Sequence, residues 1–361
     1  MKFNLSATLQ NLKDRIATLF LYNLGGRVIH LGLNDSMGGS FKEYCFNENM
    51  LERVEVLKRN LDAESIEVID YCVRMMKYAP NLIQNWDNEV TLINPKFYVS
   101  PKDKQLAREF VRNYKTYKKK YPLPKNVYLP EVFMFHNGLK CLPEVENLYI
   151  YIYISNKDII DGGAYIGDSV VVFREYNPRK IYSFDIADSN LPLFWKTMKM
   201  NGISSEEVEF VVAGVGETDS VIQFDNTSRF DTGINIHSSG ETKVQIRSID
   251  SFATERKLNV GFIKLDIEGS EPEAVRGMVE TIRRDRPILS IATYHNPHAF
   301  FEVKPYLESL DINYKFMIRH ITPTNIINMP FNNKSWLIYR HIAPFNEVFL
   351  IGYPAELEDK K

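Results

Sequence analysis

Acidic side chains and one histidine stand at the ends of short apolar runs in the second half of the chain. Asp161 ends "DIID", Asp185 ends "KIYSFD", Asp266 ends "GFIKLD", and His295 follows "ILSIATY". Runs of this length that are nearly all apolar indicate strands buried on both faces. Because ligands of open α/β sheets bind beyond the carboxyl ends of the strands, these side chains are the first candidates for binding and catalysis.

A glycine turn follows Asp161 directly. Gly163 and Gly167 in "DGGAYIGDS" let the backbone approach a ligand and present amide groups at the start of a helix. The spacing departs from the G-x-G-x-x-G dinucleotide fingerprint, and an acid beside the turn would repel a pyrophosphate. The same acid would attract an amino group or a sulfonium, and S-adenosylmethionine carries both. The turn therefore favours S-adenosylmethionine over NAD.

Asp185 ends the second strand, where a carboxylate can accept hydrogen bonds from the two hydroxyls of a ribose. NAD-binding folds also use an acid at this point, so Asp185 supports an adenosine ligand without choosing between the two cofactors. An N-cap or a surface turn is the structural alternative for either acid. Two acids at this spacing make that alternative weaker than for Asp185 alone.

Three residues are candidates for moving a methyl group to an acceptor oxygen. Asp266 faces the methyl-donor end of a cofactor if its strand lies beside the first one, and Glu268 shares its direction if the backbone stays extended. One of the two would bind the cofactor amino group and the other would act as base or bind the acceptor. His295 is the imidazole placed for proton abstraction near neutral pH. A divalent metal held by the three is an alternative, but no metal is predicted.

The composition excludes several classes of protein. The 361 residues are 44% hydrophobic and 25% charged, which is ordinary for a globular protein that buries a sizeable core. The formal charge of −2, with basic residues spread along the chain, argues against a nucleic-acid partner. Three separated cysteines indicate neither a disulfide framework nor a zinc site. No apolar run is long enough for a transmembrane segment, and a cytoplasmic location is expected.

Strands and helices alternate from Asp158 onward, which predicts a doubly wound parallel sheet covered on both faces. The helices are predicted at 169–175, 189–200, 272–282 and 297–310. Two late runs, 314–320 and 347–354, suit an antiparallel pair at the sheet edge. Before this domain, residues 1–125 are predicted to be mainly helical, from the spacing around Leu9 to Phe20, two helices between 51 and 76, and a helix that starts at Ser100. Residues 126–157, including "LYIYIYI", are predicted to be a strand-rich lead-in.

Six segments together resemble the FkbM-type S-adenosylmethionine-dependent methyltransferases. They are "DGGAYIGDS", "IYSFD", "VEFVVAGVGE", "RSIDSF", "FIKLDIEGSEPEAVRGM" and "RPILSIATYHN". Residues 264–271 are the most specific element. Ala164-Tyr165 replaces the central glycine of the commoner D-x-G-x-G-x-G pattern, and Asp185 stands where the family more often has glutamate. The resemblance covers about residues 158–354 in the family's order.

The resemblance implies a class I methyltransferase (Rossmann-like) fold, with a seven-stranded sheet whose antiparallel edge strand is "EVFLIGYP", over residues 158–354 and followed by a polar tail, 355–361. It implies an O-methyltransferase that acts on a hydroxyl of a sugar, a glycan or a related metabolite. The cofactor-binding candidates are Asp161, Gly163, Ala164, Tyr165, Gly167, Asp185, Ala213 and Asp266. The catalytic candidates are Asp266, Glu268 and His295.

Two other functions stay open at this point. One is an NAD-linked sugar-nucleotide oxidoreductase or epimerase, which the glycine spacing disfavours. The other is a non-catalytic scaffold in glycan assembly, which the retained carboxylates disfavour. The expected partner is a small-molecule or glycan acceptor, and a homo-oligomer formed through the helical N-terminal region also stays open.

Overall fold

The computed structural model describes residues 29–34, 44, 49–77, 82–84, 89–92, 116, 119–124, 148–224, 242–320 and 348–360. Its strands are β1 (Ile29–Asn34), β2 (Leu82–Gln84), β3 (Glu89–Leu92), β4 (Asp158–Gly162), β5 (Lys180–Asp185), β6 (Val208–Val212), β7 (Gly214–Val215), β8 (Ser220–Phe224), β9 (Thr242–Arg247), β10 (Val260–Leu265), β11 (Ile288–Ala292), β12 (Tyr314–His320) and β13 (Val348–Pro354). Its helices are α1 (Met50–Lys58), α2 (Ala63–Lys77), α3 (Leu148–Ile154), α4 (Asp168–Phe173), α5 (Leu191–Met200), α6 (Ile249–Glu255), α7 (Glu271–Arg276), α8 (Val279–Asp285) and α9 (Pro297–Ser309).

A seven-stranded sheet in the order β12-β13-β11-β10-β4-β5-β6 forms the centre of the fold. Neighbours from β11 to β6 are parallel, and β13 is antiparallel to both β11 and β12. The predicted doubly wound sheet with one antiparallel strand is therefore confirmed. The antiparallel strand lies one position inside the edge, and β12 is the outermost strand on that side.

Helices cover both faces of this sheet, as near-continuously apolar strands require. Consecutive residues of β4 point to opposite sides, so Ile160 packs in one core cluster with Phe252 of α6 and Phe300 of α9. Ile159 packs in the other cluster with residues of α3, α4 and α5. The predicted helices that follow β4, β5 and β11 are confirmed at nearly the predicted bounds. The helix predicted at 272–282 is two helices, α7 and α8, and α7 ends before Gly277, where the backbone approaches that of Gly216 too closely for a side chain.

The helix pair α1 and α2 belongs to this core. Leu57, Ile69 and Cys72 are fully buried in the same cluster as the sheet residues. At the start of α2, Ser65 Oγ accepts a hydrogen bond from the backbone amide of Ile318 in β12 at 2.8 Å. The helix therefore satisfies one backbone donor of the outermost strand, which has no neighbouring strand on that side. The predicted helices between 51 and 76 are confirmed.

The N-terminal region, predicted to be mainly helical, also contains three short strands among its described residues. β1, β3 and β2 form a separate antiparallel sheet. These strands are three to six residues long, too short for a hydrophobic period to identify them. The helix predicted around Leu9–Phe20 and the lead-in from 126 to 147 lie outside the described residues. Of the helix predicted from Ser100, only residues 116, 119 and 120 are described, and they are helical.

The prediction of a strand for "LYIYIYI" was wrong, because residues 148–154 form helix α3. Its alternating tyrosine and isoleucine residues favour a strand locally, but among the side chains described from 149 to 154 the two buried ones are Ile150 and Ile154, four positions apart. Tyr153 Oη donates to the carbonyl of Arg286 at 2.6 Å, and Asn156 takes a left-handed conformation that turns the chain into β4. Tertiary packing therefore determines that this segment is a helix.

None of the helices in the described ranges combines the length and the apolar character that a bilayer crossing requires. A small sheet, β7-β9-β8, lies beside the main one. It begins where the predicted strand 208–214 is interrupted at Ala213, so that the chain leaves the main sheet and pairs with β9.

Candidate active site

The turn between β4 and α4 is held in an unusual backbone conformation. Gly163, Tyr165 and Gly167 all have positive φ, at 83°, 44° and 79°. A Cβ on Gly163 would lie 1.9 Å from the carbonyl oxygen of Asp266, so only glycine fits there. The amides of Gly163 and Ala164 both donate to the carbonyl of Phe184 at 2.9 Å. The turn is therefore fixed between the ends of β5 and β10.

Asp185 is pinned at the end of β5. Its carboxylate accepts hydrogen bonds from the backbone amides of Tyr165 at 2.7 Å and of Ala187 at 2.8 Å. Burial raises the pKa of Asp185 to about 6, although these hydrogen bonds act in the opposite direction. Ala213, at the end of β6, is buried and donates its amide to the carbonyl of Asp185 at 3.1 Å. Both candidates thus lie at the carboxyl edge beside the turn.

Asp161 lies under the turn and is fully buried. Its Oδ1 is 3.2 Å from Lys264 Nζ, and its Oδ2 accepts a hydrogen bond from Ser183 Oγ at 3.1 Å. Burial raises the pKa of Asp161, and the ammonium of Lys264 opposes that rise. The Asp161 carboxylate, which was expected to bind a cofactor amino group, lies against Lys264 instead. The sequence did not predict this pair.

Asp168 was missed in the sequence. It is the first residue of α4, immediately after Gly167, and is 6% exposed. Burial raises its pKa to about 7, so this carboxyl titrates near neutral pH. The only signal was an acid directly after the last glycine of "DGGAYIGDS".

Asp266 directly follows β10, and its side chain is hydrogen-bonded to Tyr294, which follows β11. Tyr294 Oη donates to Asp266 Oδ1 at 3.0 Å, and the Asp266 amide donates to the carbonyl of Gly162 at 3.0 Å. Asp266 is therefore tied to the start of the turn and to the end of β11. The expectation that β10 lies beside β4 is confirmed.

His295 lies between three carboxylates. Its Nδ1 is 2.8 Å from Glu271 Oε1, and its Nε2 is 3.4 Å from Asp266 Oδ1 and 3.5 Å from Glu268 Oε2. Burial lowers the pKa of His295, but the carboxylates of Glu271, Glu268 and Asp266 outweigh it and raise the value to about 10. The imidazole is therefore a cation at neutral pH. Glu271 was not among the candidates predicted from the sequence.

Glu268 does not continue the strand. Its φ is 58°, and Gly269 follows at 106°, so the extended backbone on which its shared direction with Asp266 depended is not present. Asn296 Nδ2 donates to the carbonyl of Gly269 at 2.8 Å, while Asn296 Oδ1 caps α9. Glu268 Oε2 lies 3.5 Å from His295 Nε2, and the Glu268 side chain is 35% exposed.

Ligand atoms of Asp266, Glu271 and His295 lie within 4.8 Å of one another, a spacing that a metal ion could also use. Two contacts of the His295 ring explain this spacing without a metal ion. The Nδ1 hydrogen bond to Glu271 and the approach of Nε2 to Asp266 place an imidazolium among the acids. The site is therefore best described as a charged hydrogen-bond cluster, which we call the His295 cluster (Asp266, Glu268, Glu271, Tyr294 and His295).

Comparison with known families identifies the segment that carries these residues. Residues 161–316 match the family model of the methyltransferase FkbM domain. This segment is a methyltransferase FkbM domain. The glycine turn, Asp185 and the His295 cluster all lie inside it, and α1, α2 and β13 lie outside the matched range. The predicted family is confirmed for this segment.

The solved structures that match parts of this chain are distant from it. A methyltransferase FkbM from Methylobacillus flagellatus KT is 19% identical, with a TM-score of 0.40, over 69% of this chain and 60% of that one. An rRNA methylase from Streptococcus thermophilus is 14% identical, with a TM-score of 0.33, over 57% and 91%. An O-methyltransferase from Bacillus cereus in complex with SAH is 8% identical, with a TM-score of 0.32, over 69% and 90%. A search of curated proteins found no match to the sequence. The fold assignment stands on the strand order given above.

Proposed function

We propose that this protein is an S-adenosylmethionine-dependent O-methyltransferase that acts on a hydroxyl of a sugar, a glycan or a related metabolite. The observation that carries the proposal is the placement of Asp185 and the His295 cluster on the two sides of one glycine turn, at the carboxyl edge of the sheet. S-adenosylmethionine would place its adenosine group on the Asp185 side of the turn and its methyl-donor end on the side of the His295 cluster.

The residues at this edge fit S-adenosylmethionine. Each Asp185 oxygen accepts one short hydrogen bond from a backbone amide, and Asn190 Nδ2 approaches the two oxygens only at 3.5 and 3.4 Å. A carboxylate has about four lone-pair sites, so ribose hydroxyls could bind in place of these long contacts. Ala213 and the turn residues Gly163, Ala164, Tyr165 and Gly167 would line the cofactor. The acidic residues of the His295 cluster outnumber its one cation and suit a sulfonium. When bound, the cofactor supplies the electrophilic methyl group.

The chain's own residues would then orient the acceptor and take its proton. We assign proton removal to Glu268, because it is the most exposed acid around His295, at 35% against 11% for Asp266. Asp266, held by Tyr294, would orient the acceptor or the cofactor amino group. His295 would act as a fixed cation that keeps these acids in place, and its raised pKa argues against its role as the base.

A hydroxyl acceptor suits this arrangement, because a hydroxyl must lose its proton as the methyl–oxygen bond forms. A carboxylate beside the reaction centre can receive that proton. The sugar or glycan class rests on the resemblance of the six sequence segments to the FkbM type.

Calorimetric titration with S-adenosylhomocysteine tests the cofactor. We expect wild-type protein to bind it near the micromolar range and Asp185→Ala to bind about tenfold more weakly while remaining folded. No binding by folded wild-type protein would contradict the proposal. Thermal protection by NAD in its place would support the oxidoreductase alternative.

Labelled-methyl transfer from S-adenosylmethionine into fractionated glycans and small metabolites tests the reaction. We expect label in a fraction whose mass spectrum locates the methyl group on an oxygen. Cofactor binding without transfer into any fraction would support the scaffold alternative.

A further inference from the structure

Lys264 is a buried lysine inside the sheet, two residues before Asp266. It lies on β10, directly opposite Asp161 of β4 in the strand register, and is 2% exposed. A buried ammonium is costly unless it is paired and hydrogen-bonded. An apolar pair of similar volume would often be as stable as a buried ion pair. Stability alone therefore does not explain why the Lys264–Asp161 pair lies beside the glycine turn.

The ammonium of Lys264 contacts the turn at two points. Nζ donates a 2.8 Å hydrogen bond to the carbonyl of Gly163 and lies 3.2 Å from Asp161 Oδ1. Gly163 is the residue whose backbone approaches the carbonyl of Asp266. One side chain therefore ties the first half of the turn to the strand that carries Asp266.

The same charge acts on the acids around the turn. Lys264 opposes the rise in pKa that burial causes at Asp161, Asp168 and Asp185. Asp161 and Asp266 act in the opposite direction on the pKa of Asp168. Lys264 thus favours the ionised forms on which hydrogen bonding by Asp185 to a ribose depends.

We propose that Lys264 is a positioning residue that holds the Gly163 carbonyl and the glycine turn in the cofactor-binding geometry relative to Asp266. The inference rests on the proposed function, since it concerns the same cofactor. It assigns Lys264 a role in cofactor affinity in addition to its contribution to folding.

The test compares three variants by calorimetric titration with S-adenosylhomocysteine and by thermal unfolding. Lys264→Met removes the ammonium and leaves Asp161 unpaired. The double variant Asp161→Asn with Lys264→Met removes both charges, so it avoids an uncompensated buried acid and keeps the test valid if the single variant does not fold. Lys304→Met is the matched control, because Lys304 of α9 is also buried, at 1% exposure. Its Nζ donates to the carbonyl of Arg59 at 2.7 Å and pairs with Glu308 at 2.8 Å, and neither residue belongs to the turn.

We expect the double variant to bind S-adenosylhomocysteine about tenfold more weakly than wild type, because Gly163 still lacks its hydrogen-bond donor. Lys304→Met should unfold at a lower temperature and bind with wild-type affinity. In Lys264→Met, the pH below which affinity falls should move upward, since Asp185 loses the cation that lowers its pKa. Lys304→Met should not move it.

Wild-type affinity in the double variant, with lowered stability alone, would overturn the inference and leave the proposed function intact. An equal loss of affinity in Lys304→Met would also overturn it, because the effect would then follow general destabilisation. If wild-type protein itself does not bind, the proposed function fails and the inference fails with it.

Discussion

His295 illustrates how a residue type can be found from sequence while its charge state cannot. Its position after β11 was predicted, but proton abstraction needs a free lone pair at neutral pH. The contacts with Glu271, Asp266 and Glu268 raise its pKa to about 10, so the ring carries a proton. The role that fits this geometry is to hold acidic groups, and in the proposed reaction a carboxylate would be the base.

His295→Asn should therefore destabilise the protein by about 3 kcal/mol, because it leaves Glu271 as a buried carboxylate without its cation. His298→Asn is the matched control: His298 is 61% exposed and pairs with Glu302 on the surface of α9, so about 0.5 kcal/mol or less is expected. Urea unfolding followed by circular dichroism measures both. Equal losses in the two variants would contradict the description of His295 as a buried ion-pair centre.

The pH dependence of stability checks the same charge. The pKa of His295 is about 10 in the folded protein and 6.5 for an ordinary histidine, so its contribution is fully present below about pH 6.5 and is lost as pH rises through about 10. We expect wild-type protein to lose stability over this range more steeply than His295→Asn. Parallel curves for the two proteins would show that His295 is neutral in the folded state.

Asp185 should make cofactor affinity depend on pH. Its pKa is raised to about 6, and the ionised form accepts hydrogen bonds from ribose hydroxyls. Affinity for S-adenosylhomocysteine should be constant above about pH 7 and fall as pH drops through about 6, a range in which the ligand itself does not titrate. Asp185→Asn keeps the size of the side chain and should bind weakly at every pH. A pH step that persists in Asp185→Asn would assign it to another group, with Asp168 as the next candidate.

At the scale of elements, the turn between β4 and α4 depends on contacts that no local pattern contains. Gly163→Ala should cost at least about 3 kcal/mol and abolish cofactor binding, because the new Cβ would lie 1.9 Å from a backbone oxygen of Asp266. Gly202→Ala is the control, since Gly202 also has positive φ, at 64°, but a Cβ there meets nothing within 4 Å. We expect that substitution to cost about 1 kcal/mol and to leave binding unchanged. Thermal unfolding and calorimetry separate the two, and similar results would contradict the steric account.

The elements that sequence predicted well are those whose pattern is local. Strands such as β10 and β11 are continuous apolar runs, and α9 has Asn296 as N-cap and Pro297 in its first turn, so their bounds followed from type and spacing. The helix α3 was missed because its alternating composition favours a strand and only packing opposes it. The burial of Asp161 was missed because Lys264 becomes its neighbour only through the register of β4 with β10, 103 positions apart in the chain. Residues joined by tertiary contact carry no such signal in one sequence.

At the scale of the molecule, the methyltransferase core extends beyond the matched segment. α1 and α2 precede residue 161 by more than 80 positions, yet Leu57, Ile69 and Cys72 are fully buried in the cluster that contains Phe300 and Leu350. Asp62 caps α2 through the amide of Ser65 at 2.8 Å and pairs with Arg319 of β12 at 2.6 Å. The predicted boundary at residue 125 stays a prediction, but these two helices fold with the sheet.

Unfolding should therefore be a single event that includes α1 and α2. Leu57→Ala should lower the free energy of unfolding of the whole core by about 3 kcal/mol, because it leaves a cavity at a fully buried position of α1. Leu51→Ala, in the same helix at 78% exposure, should change it by about 0.5 kcal/mol or less. Tryptophan fluorescence and far-ultraviolet circular dichroism should report the same urea midpoint in each variant. Two separate transitions, with only the first shifted by Leu57→Ala, would mean that the helices form an independent unit, and coincident shifts would place them in the methyltransferase core.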